Sequence, residues 1–281
     1  MLNTELLGIS YGLASAVAWG AGDFSGGFVT KRTNVYTVFV ASQAIGGGLL
    51  VLLAFVFSET MPPFQIMLLG GAAGIFGAIG LTALYQGLAS GRMGVVAPVS
   101  AVVTAALPVL VGFFIEGVPP TLQLAGFGMA FLAVWLLSSG NGETRVQAHE
   151  LGLAVLAGIG FGVSFILINQ VSDTAILWPL VSARVAAIAL MCVVGIVFGQ
   201  GGIPQRRHLP VIAFTGICGS GGAAFFALAT HVGRLDISAV LGSLYPATTV
   251  LLAWLILREQ LSGRQWIGVI TALGALVLIA S

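Results

Sequence analysis

Long apolar runs dominate the pattern of hydrophobic and polar positions along this chain. A helix needs about 20 residues to cross a hydrocarbon core of about 30 Å. Ten uncharged or nearly uncharged runs of about that length cover residues 8–28, 35–57, 64–89, 94–115, 121–139, 151–171, 178–199, 209–232, 236–257 and 265–280. The pattern predicts an all-α integral membrane protein with ten transmembrane helices, and not the short alternating segments of a β-barrel.

Turn-forming and charged residues separate these runs. Pro62-Pro63 and Pro119-Pro120 precede apolar runs and fit helix starts, where a missing N–H costs little. The connections are short, so consecutive helices should pack antiparallel. The longest polar stretch predicts a linker at 140–150, between one unit at 1–139 and a second at 151–281.

Composition excludes several classes of protein. Of 281 residues, 58% are hydrophobic and 7% are charged, whereas about a quarter of the residues of a soluble domain are charged. So few charges cannot cover a soluble enzyme, and a disordered chain or a disulfide scaffold is excluded as well. The net charge of +1 gives no reason to expect a nucleic-acid partner.

Lysine and arginine are unevenly distributed between the two sides that ten antiparallel spans define. The odd-numbered connections and their flanks hold Lys31, Arg32, Arg92, Arg145, Arg206, Arg207, Arg258 and Arg264. Arg234 alone lies in an even-numbered connection. The positive-inside rule then predicts cytoplasmic odd connections, with both termini outside the cell membrane of a prokaryote.

The chain matches itself weakly but repeatedly at offsets of 141 to 144 residues. The run from Phe39 to Phe57 lies over the run from Leu180 to Phe198. Each half holds five predicted spans, and an odd number of spans forces duplicated halves into opposite orientations. The pattern predicts two inverted five-helix repeats, an architecture of secondary transporters that bind solute near the bilayer midplane.

Short motifs add to this architecture. Trp19-Gly20 lies in the first run, and each half has a run followed by a glutamate and then a glycine in the next helix, Glu116 with Gly126 and Glu259 with Gly268. With ten spans in two halves, the chain resembles the EamA branch of the drug/metabolite transporter superfamily over its whole length. The resemblance implies a central cavity between the halves and export of amino acids, related metabolites or drugs.

Two charged residues fall inside predicted spans, where a charge costs about 2.5 kcal/mol or more. Asp23, near the end of the first span, is a candidate proton or cation coupling site. Arg184, in the seventh, is a candidate anchor for a substrate carboxylate, because its planar donors match one. Either could instead reach the nearer interface, and their expected depths do not make them a pair.

Polar and aromatic residues predict the lining of a substrate site. Tyr11, Ser15, Trp19 and Asp23 follow one another at spacings of four, which places a slowly drifting stripe on the first helix. The candidate substrate-binding residues are Trp19, Tyr85, Gln86, Asn169, Arg184 and Tyr245. Aromatic rings can stack on the body of a solute while amides fix its polar ends. For the aromatic residues, ordinary packing is an equal alternative.

Prolines mark the repeat-related fourth and ninth spans. Pro98 and Pro108 interrupt the fourth and Pro246 the ninth, and each removes a backbone hydrogen bond inside a helix. Broken helices in corresponding halves point to the binding region of a transporter, so these prolines are candidate hinges. Kinked packing without a hinge is the alternative.

These features favour one function over others. We expect a secondary active transporter that exports a small zwitterionic or apolar metabolite, such as an amino acid, by alternating access around a central cavity. A carrier for lipophilic cations and drugs is the first alternative, and a channel the second. We expect no catalytic residue, metal site or cofactor, and as partners the bilayer and a small solute; the monomer is plausible.

Overall fold

The computed structural model describes residues 2–30, 32–89, 93–115, 117–138, 148–199, 201–257 and 262–279. The helices are α1 (Leu2–Thr30), α2 (Val35–Val56), α3 (Phe64–Ala89), α4 (Met93–Ile115), α5 (Thr121–Ser138), α6 (Ala148–Ser172), α7 (Leu177–Val197), α8 (Leu209–Val232), α9 (Leu235–Gly242), α10 (Tyr245–Leu257) and α11 (Gly263–Ile279). One turn of 3₁₀ helix, Arg206–His208, precedes α8. Every regular element of the described residues is therefore helical.

Each apolar run of the sequence forms a helix, and the ninth run forms two, α9 and α10. In the described residues six stretches are long and apolar enough to cross a membrane: Val35–Val56, Phe64–Leu84, Leu151–Ser172, Leu177–Val197, Arg206–Val232 and Leu235–Ile256. Shorter apolar helices are Val99–Ile115, Thr121–Leu136 and Trp266–Ala275. The protein is thus a multi-pass membrane protein, and ten spans remain a prediction.

The sequence marks several helix ends correctly. Helix α3 begins directly after Pro63 and α5 directly after Pro120, and both proline carbonyls accept bonds from the first turn, from Ile66 N–H at 3.0 Å and Leu124 N–H at 3.1 Å. Asn34 caps α2 by accepting a bond from the Tyr36 N–H at 2.8 Å. Within the predicted linker at 140–150, α6 already begins at Ala148, and residues 139–147 lie outside the described part.

The prolines act differently in the two corresponding spans. Helix α4 runs without a break through Pro98 and Pro108, so the expected interruption of the fourth span is not seen. The chain between α9 and α10 leaves the helix at Ser243 and Leu244, and Pro246 lies in the first turn of α10. A proline in a first turn displaces no intrahelical bond, which explains why the break lies just before it.

Contacts between helices run mainly from one half of the chain to the other. Helix α1 packs on α8, and α6 on α3. Helix α4 packs on α6, and α1 on α9 and α10. Helices α3 and α8 pack on α7 and α2 respectively. Exchange of the two halves converts each pairing into another that is present. The α1–α8 pairing becomes α6–α3, the α4–α6 pairing becomes that of α9 and α10 with α1, and the α3–α7 pairing becomes α8–α2.

Individual close contacts recur at the same offset. A Cβ built on Gly74 of α3 would lie 2.0 Å from the Ala183 carbonyl oxygen of α7. A Cβ on Gly216 of α8, 142 residues further, would lie 2.3 Å from the Ser42 carbonyl oxygen of α2. Glycine at both places lets the backbones of two helices pack closely, α3 on α7 and α8 on α2, as small residues do between membrane helices.

A second pair of contacts recurs between the remaining helices. A Cβ on Gly162 of α6 would meet the Thr104 carbonyl oxygen of α4 at 3.1 Å. A Cβ on Gly20 of α1 would meet the Tyr245 carbonyl oxygen of α10 at 2.5 Å. These residues again correspond at offsets of 141 and 142.

The outer surface carries large apolar side chains. Phe114 is 91% exposed, Ile196 81% and Phe64 79%. Water would make such a surface aggregate, whereas lipid chains solvate it. The core lies between the halves: one cluster joins residues of α1, α4, α5, α9 and α11, and another joins α2, α3, α6, α7, α8 and α9.

Candidate functional site

A cavity of about 200 Å³ lies between the two halves. Residues of α1, α2, α3 and α4 from the first half and of α6, α7, α8 and α10 from the second line it. Among the described lining residues, Asp23 and Arg184 carry the only formal charges. The rest of the lining is mostly apolar or glycine, with a few hydroxyl groups.

Aromatic rings form one wall of this cavity. The Trp19 ring stacks on Phe165 with centroids 5.1 Å apart and planes 9° from parallel. Phe226 packs against Phe165 at 4.2 Å and against Trp19 at 5.7 Å. The Trp19 indole N–H also donates to the Gly219 carbonyl oxygen at 3.3 Å, so both a hydrogen bond and stacking fix the ring.

Arg184 reaches from α7 to the middle of the cavity. Its Nη1 donates to Gln43 Oε1 of α2, and its Nη2 donates to the Gly219 carbonyl oxygen of α8 at 2.9 Å. Both acceptors are neutral, and Arg184 forms no ion pair with a described residue. The guanidinium is thus held in place by neighbours that leave its charge uncompensated.

Asp23 lines the same cavity one helical turn beyond Trp19 on α1. Its carboxylate makes no hydrogen bond or ion pair with any described residue. The neighbouring Gly22 lies against α8, since a Cβ there would be 3.4 Å from the Gly219 nitrogen. The α1 backbone beside Asp23 and the guanidinium of Arg184 therefore both contact Gly219 of α8, and Asp23 and Arg184 form no ion pair.

Equivalent positions of the two halves face each other across the cavity. Gln43 and Arg184, which bond directly, are 141 residues apart. Asp23 corresponds to Phe165 at an offset of 142, and all four line the cavity. Corresponding positions of the two halves therefore line the cavity with side chains of different chemistry.

Hydrogen bonds close one end of the helix bundle, here named the Glu59 end, where residues 57–63, 117–120, 173–176 and 233–234 meet. The backbone N–H groups of Ile176, Leu177 and Trp178 donate to the Glu59 carboxylate at 2.9–3.1 Å. The Trp178 indole N–H donates to the Glu59 carbonyl oxygen at 2.9 Å. A carboxylate at a helix N-terminus is stabilised by the unpaired N–H groups and the helix dipole.

Arg234 makes a second closure at the Glu59 end. Its Nη2 donates to the Gly117 carbonyl oxygen at 2.6 Å, which joins the α8–α9 connection to the turn after α4. Its Nη2 and Nε donate to the two carboxylate oxygens of Asp236 at 2.8 and 3.1 Å. Asp236 is fully buried, so this bidentate pair is shielded from solvent.

The opposite end of the bundle, named the Thr30 end, is where residues 32–34 and 198–208 lie. The cavity extends from its centre towards this end, where Thr30, Val35 and Leu84 line it. The positions 142 residues further, Ser172, Leu177 and Phe226, lie towards the Glu59 end and are not among the lining residues. The cavity thus extends towards the Thr30 end and does not reach the corresponding positions at the Glu59 end, where hydrogen bonds join the connections.

The structure brings together four of the residues expected at the site, Trp19, Asp23, Arg184 and Tyr245. Asn169 is not among the lining residues. Phe161, Ser164, Phe165 and Ile168 line the cavity at helical spacing, so the next residue turns away from it. The side chains of Tyr85, Gln86 and Pro98 lie outside the described part of the structure.

Sequence reasoning missed Gln43, Gly219 and Glu59. Gln43 had a signal, because it lies over Arg184 in the internal alignment and is polar within an apolar run. Gly219 acts through its backbone carbonyl, which no side-chain pattern reveals. Glu59 lies in a polar connection where a solvated carboxylate is the ordinary expectation.

Comparison with known protein families gives a match in the second half of the chain. The EamA-like transporter family matches residues 150–281, which contain α7, α8 and α10 of the cavity wall. The second half of the chain is thus similar to the EamA family. This confirms the resemblance to the EamA branch of the drug/metabolite transporter superfamily.

The fold of this chain also recurs in known structures. A solved crystal structure of a protein superposes on it with a TM-score of 0.80 at 18% sequence identity, over 98% of this chain and 96% of that one. At this identity the likeness shows the fold alone. Comparison with curated proteins found no match.

Proposed function

We propose that this chain is a secondary transporter that exports a small zwitterionic or apolar metabolite by alternating access around the cavity. The match of residues 150–281 to the EamA-like transporter family supports transport as the activity. The observation that carries the mechanism is a solute-sized cavity between the halves that extends towards the Thr30 end, while hydrogen bonds of Glu59 and Arg234 close the other end. A carrier needs such a site, whereas a channel needs a continuous path.

Alternating access follows from two inverted repeats when the halves exchange conformations. The recurrence of helix pairings and glycine contacts at offsets of 141 and 142 supports a duplication in this chain. Exchange would then open the Glu59 end and close the Thr30 end. The break between α9 and α10, next to the cavity residue Tyr245, is the candidate hinge, and Pro98 and Pro108 in the unbroken α4 remain proposed hinge positions.

The direction of transport follows from the orientation that the lysines and arginines predict. The Thr30 end carries the odd-numbered connections and is assigned to the cytoplasm. The cavity then faces the cytoplasm in this structure, ready to load a solute for export across the plasma membrane. Both termini would be outside.

The size of the cavity favours a metabolite over a drug. Pockets for drug-sized ligands occupy about 300–1,000 Å³, and this cavity occupies about 200 Å³. Efflux of lipophilic cations is the second candidate, favoured by the aromatic wall beside the Asp23 carboxylate.

Counterflow tests the proposed function. Proteoliposomes containing the purified protein and loaded with unlabelled phenylalanine are diluted into a trace of labelled phenylalanine. We expect labelled phenylalanine to accumulate transiently above its external concentration, because a carrier exchanges one solute for another. Liposomes without protein, and proteoliposomes loaded with glucose, are the controls.

Two results would contradict this function. Equilibration of the label without an overshoot, at a rate proportional to its concentration, would indicate a channel. Conversion of the phenylalanine into another compound would indicate an enzyme.

A further inference from the structure

We propose that Asp23 and Arg184 bind the two ends of one solute, so that the transported class is α-amino acids with an apolar side chain. The Arg184 guanidinium binds the solute carboxylate, and the Asp23 carboxylate binds the solute ammonium group. This inference rests on the proposed function and narrows it. The cation at Asp23 is then part of the solute and not a separate coupling ion.

The hydrogen bonds of Arg184 fit an anchor for a carboxylate. A guanidinium has five N–H donors in a fixed plane, and bonds to described residues are made by Nη1 and Nη2 alone. Gln43 and the Gly219 carbonyl oxygen orient the group without neutralising it. The charge and the remaining donors are available to an anion in the cavity.

The position of Asp23 fits the other end of the same molecule. The carboxylate lines the cavity and has no partner among the described residues. Trp19, one turn before it, shares the Gly219 carbonyl oxygen with Arg184. One turn of four residues rises about 6 Å, so a small molecule can reach both charged groups while the groups themselves stay apart.

Charge balance selects a zwitterion. The cavity lining holds one carboxyl and one guanidinium group without a charged partner among the described residues, and burial disfavours an unpaired charge on either. An organic acid would compensate Arg184 and leave Asp23 unpaired, and an organic cation would do the reverse. A molecule with an ammonium and a carboxylate group satisfies both at once.

The aromatic wall accounts for the remainder of the solute. Trp19 and Phe165 lie beside the two charged residues and present ring faces and edges. An apolar side chain gains free energy by leaving water for this surface. The site therefore favours large apolar amino acids over small polar ones.

Three probes that share a phenyl ring and a short carbon chain test the inference. They are phenylalanine, 3-phenylpropionate, which lacks the amino group, and phenethylamine, which lacks the carboxylate. Equilibrium binding to the purified wild-type protein is measured by isothermal titration calorimetry. We expect phenylalanine to bind at least about tenfold more tightly than either analogue, because each analogue leaves one buried charge unpaired.

Variants assign each preference to its residue. Asp23→Asn should abolish the preference for phenylalanine over 3-phenylpropionate, and Arg184→Gln the preference over phenethylamine. Asp173→Asn and Arg206→Gln make the same chemical changes at exposed positions outside the cavity and should leave both preferences unchanged. The wild-type comparison decides the inference even where a variant does not fold.

Specific outcomes would overturn the inference. Equal affinity of the wild type for phenylalanine and phenethylamine would indicate a cation carrier. If Asp23→Asn loses as much affinity for 3-phenylpropionate as for phenylalanine, Asp23 does not bind the ammonium group. If the wild type does not bind phenylalanine at millimolar concentration, α-amino acids with an apolar side chain are excluded as the solute. Counterflow of another solute by the same preparation would then still support the proposed transport function. Absence of counterflow for every solute tested would contradict both the transport function and the amino-acid site.

Discussion

Individual glycines determine where the aromatic rings of the cavity lie. A Cβ on Gly222 of α8 would be 2.5 Å from the Trp19 ring, and a Cβ on Gly80 of α3 would be 3.0 Å from the Phe161 ring. Trp19 and Phe161 correspond at an offset of 142, as do the two glycines. Each ring thus lies over a glycine of the other half of the chain, and any larger residue would displace it into the cavity.

Gly222→Ala tests this arrangement. The added methyl group should push the Trp19 ring away from Phe165 and break its bond to the Gly219 carbonyl oxygen. Overpacking of this kind costs about 1–3 kcal/mol. We expect a melting temperature several degrees lower and an affinity for phenylalanine about tenfold weaker, measured by thermal unfolding and calorimetry.

The adjacent Gly221 provides the matched control. A Cβ at Gly221 would meet nothing within 4 Å, so Gly221→Ala should change neither quantity. Equal effects of the two substitutions would show that the Trp19 contact does not determine binding.

The residues of the site differ in how far the sequence predicts them. A charge in an apolar run stands out, so Asp23 and Arg184 were found, and the spacing of four led to Trp19. Asn169 is not among the residues that line the cavity, because a polar residue near the end of a helix can face away from it. Which face of α6 is inside depends on its packing against α3 and α4, which one sequence does not contain.

At the scale of elements, the N-terminus of α7 is joined to the turn after α2 by one carboxylate. Glu59 accepts bonds from three consecutive backbone N–H groups, and no other described side chain caps this helix. In the proposed cycle, opening of the Glu59 end separates these groups. The strength of this contact therefore sets part of the balance between the two conformations.

Glu59→Gln should favour opening of the Glu59 end. Removing the charge weakens bonds that contribute about 1.5–3 kcal/mol, and about 1.4 kcal/mol corresponds to a tenfold change in an equilibrium. The reporter is Ala54→Cys, 1% exposed beside this closure, in a chain carrying Cys192→Ser and Cys218→Ala. We expect a polar maleimide to label it several-fold faster when Glu59 is replaced.

Asp173→Asn is the control for this measurement, because its pair with His231 is exposed and contributes little. An unchanged labelling rate in the Glu59 variant would show that the carboxylate does not hold the end closed.

Helices are the most predictable level of this protein. The bounds of α3 and α8 agree with the apolar runs to the residue, since the runs are long and end at proline, glycine or charge. The sequence did not predict that the ninth run breaks while the fourth forms one continuous helix, because both runs contain prolines. The two prolines differ in their position within the helix. Pro246 lies in the first turn of α10, whereas Pro108 lies deep inside α4.

At the scale of the whole molecule, the two ends of the bundle must face different compartments. Thr60 is exposed at the Glu59 end and Gln205 at the Thr30 end. In chains lacking the native cysteines, we expect Thr60→Cys to react with an impermeant maleimide in intact cells. Gln205→Cys should react only after the membrane is permeabilised, because the lysines and arginines retain that end in the cytoplasm.

Labelling of both positions from outside would contradict a membrane-spanning bundle. The reverse pattern would keep the bundle but turn it over, and the cavity would then face the exterior in this structure.

In the proposed duplication, the bond between Gln43 and Arg184 joins a residue to its own counterpart, and such a bond would lie on the symmetry axis of the two halves. A rotation that swaps the halves carries this contact onto itself. The guanidinium can thus stay at one depth of the bilayer while the walls around it move. A solute bound there by its carboxylate would remain at the same depth. The closed end of the bundle would change from one side of the solute to the other.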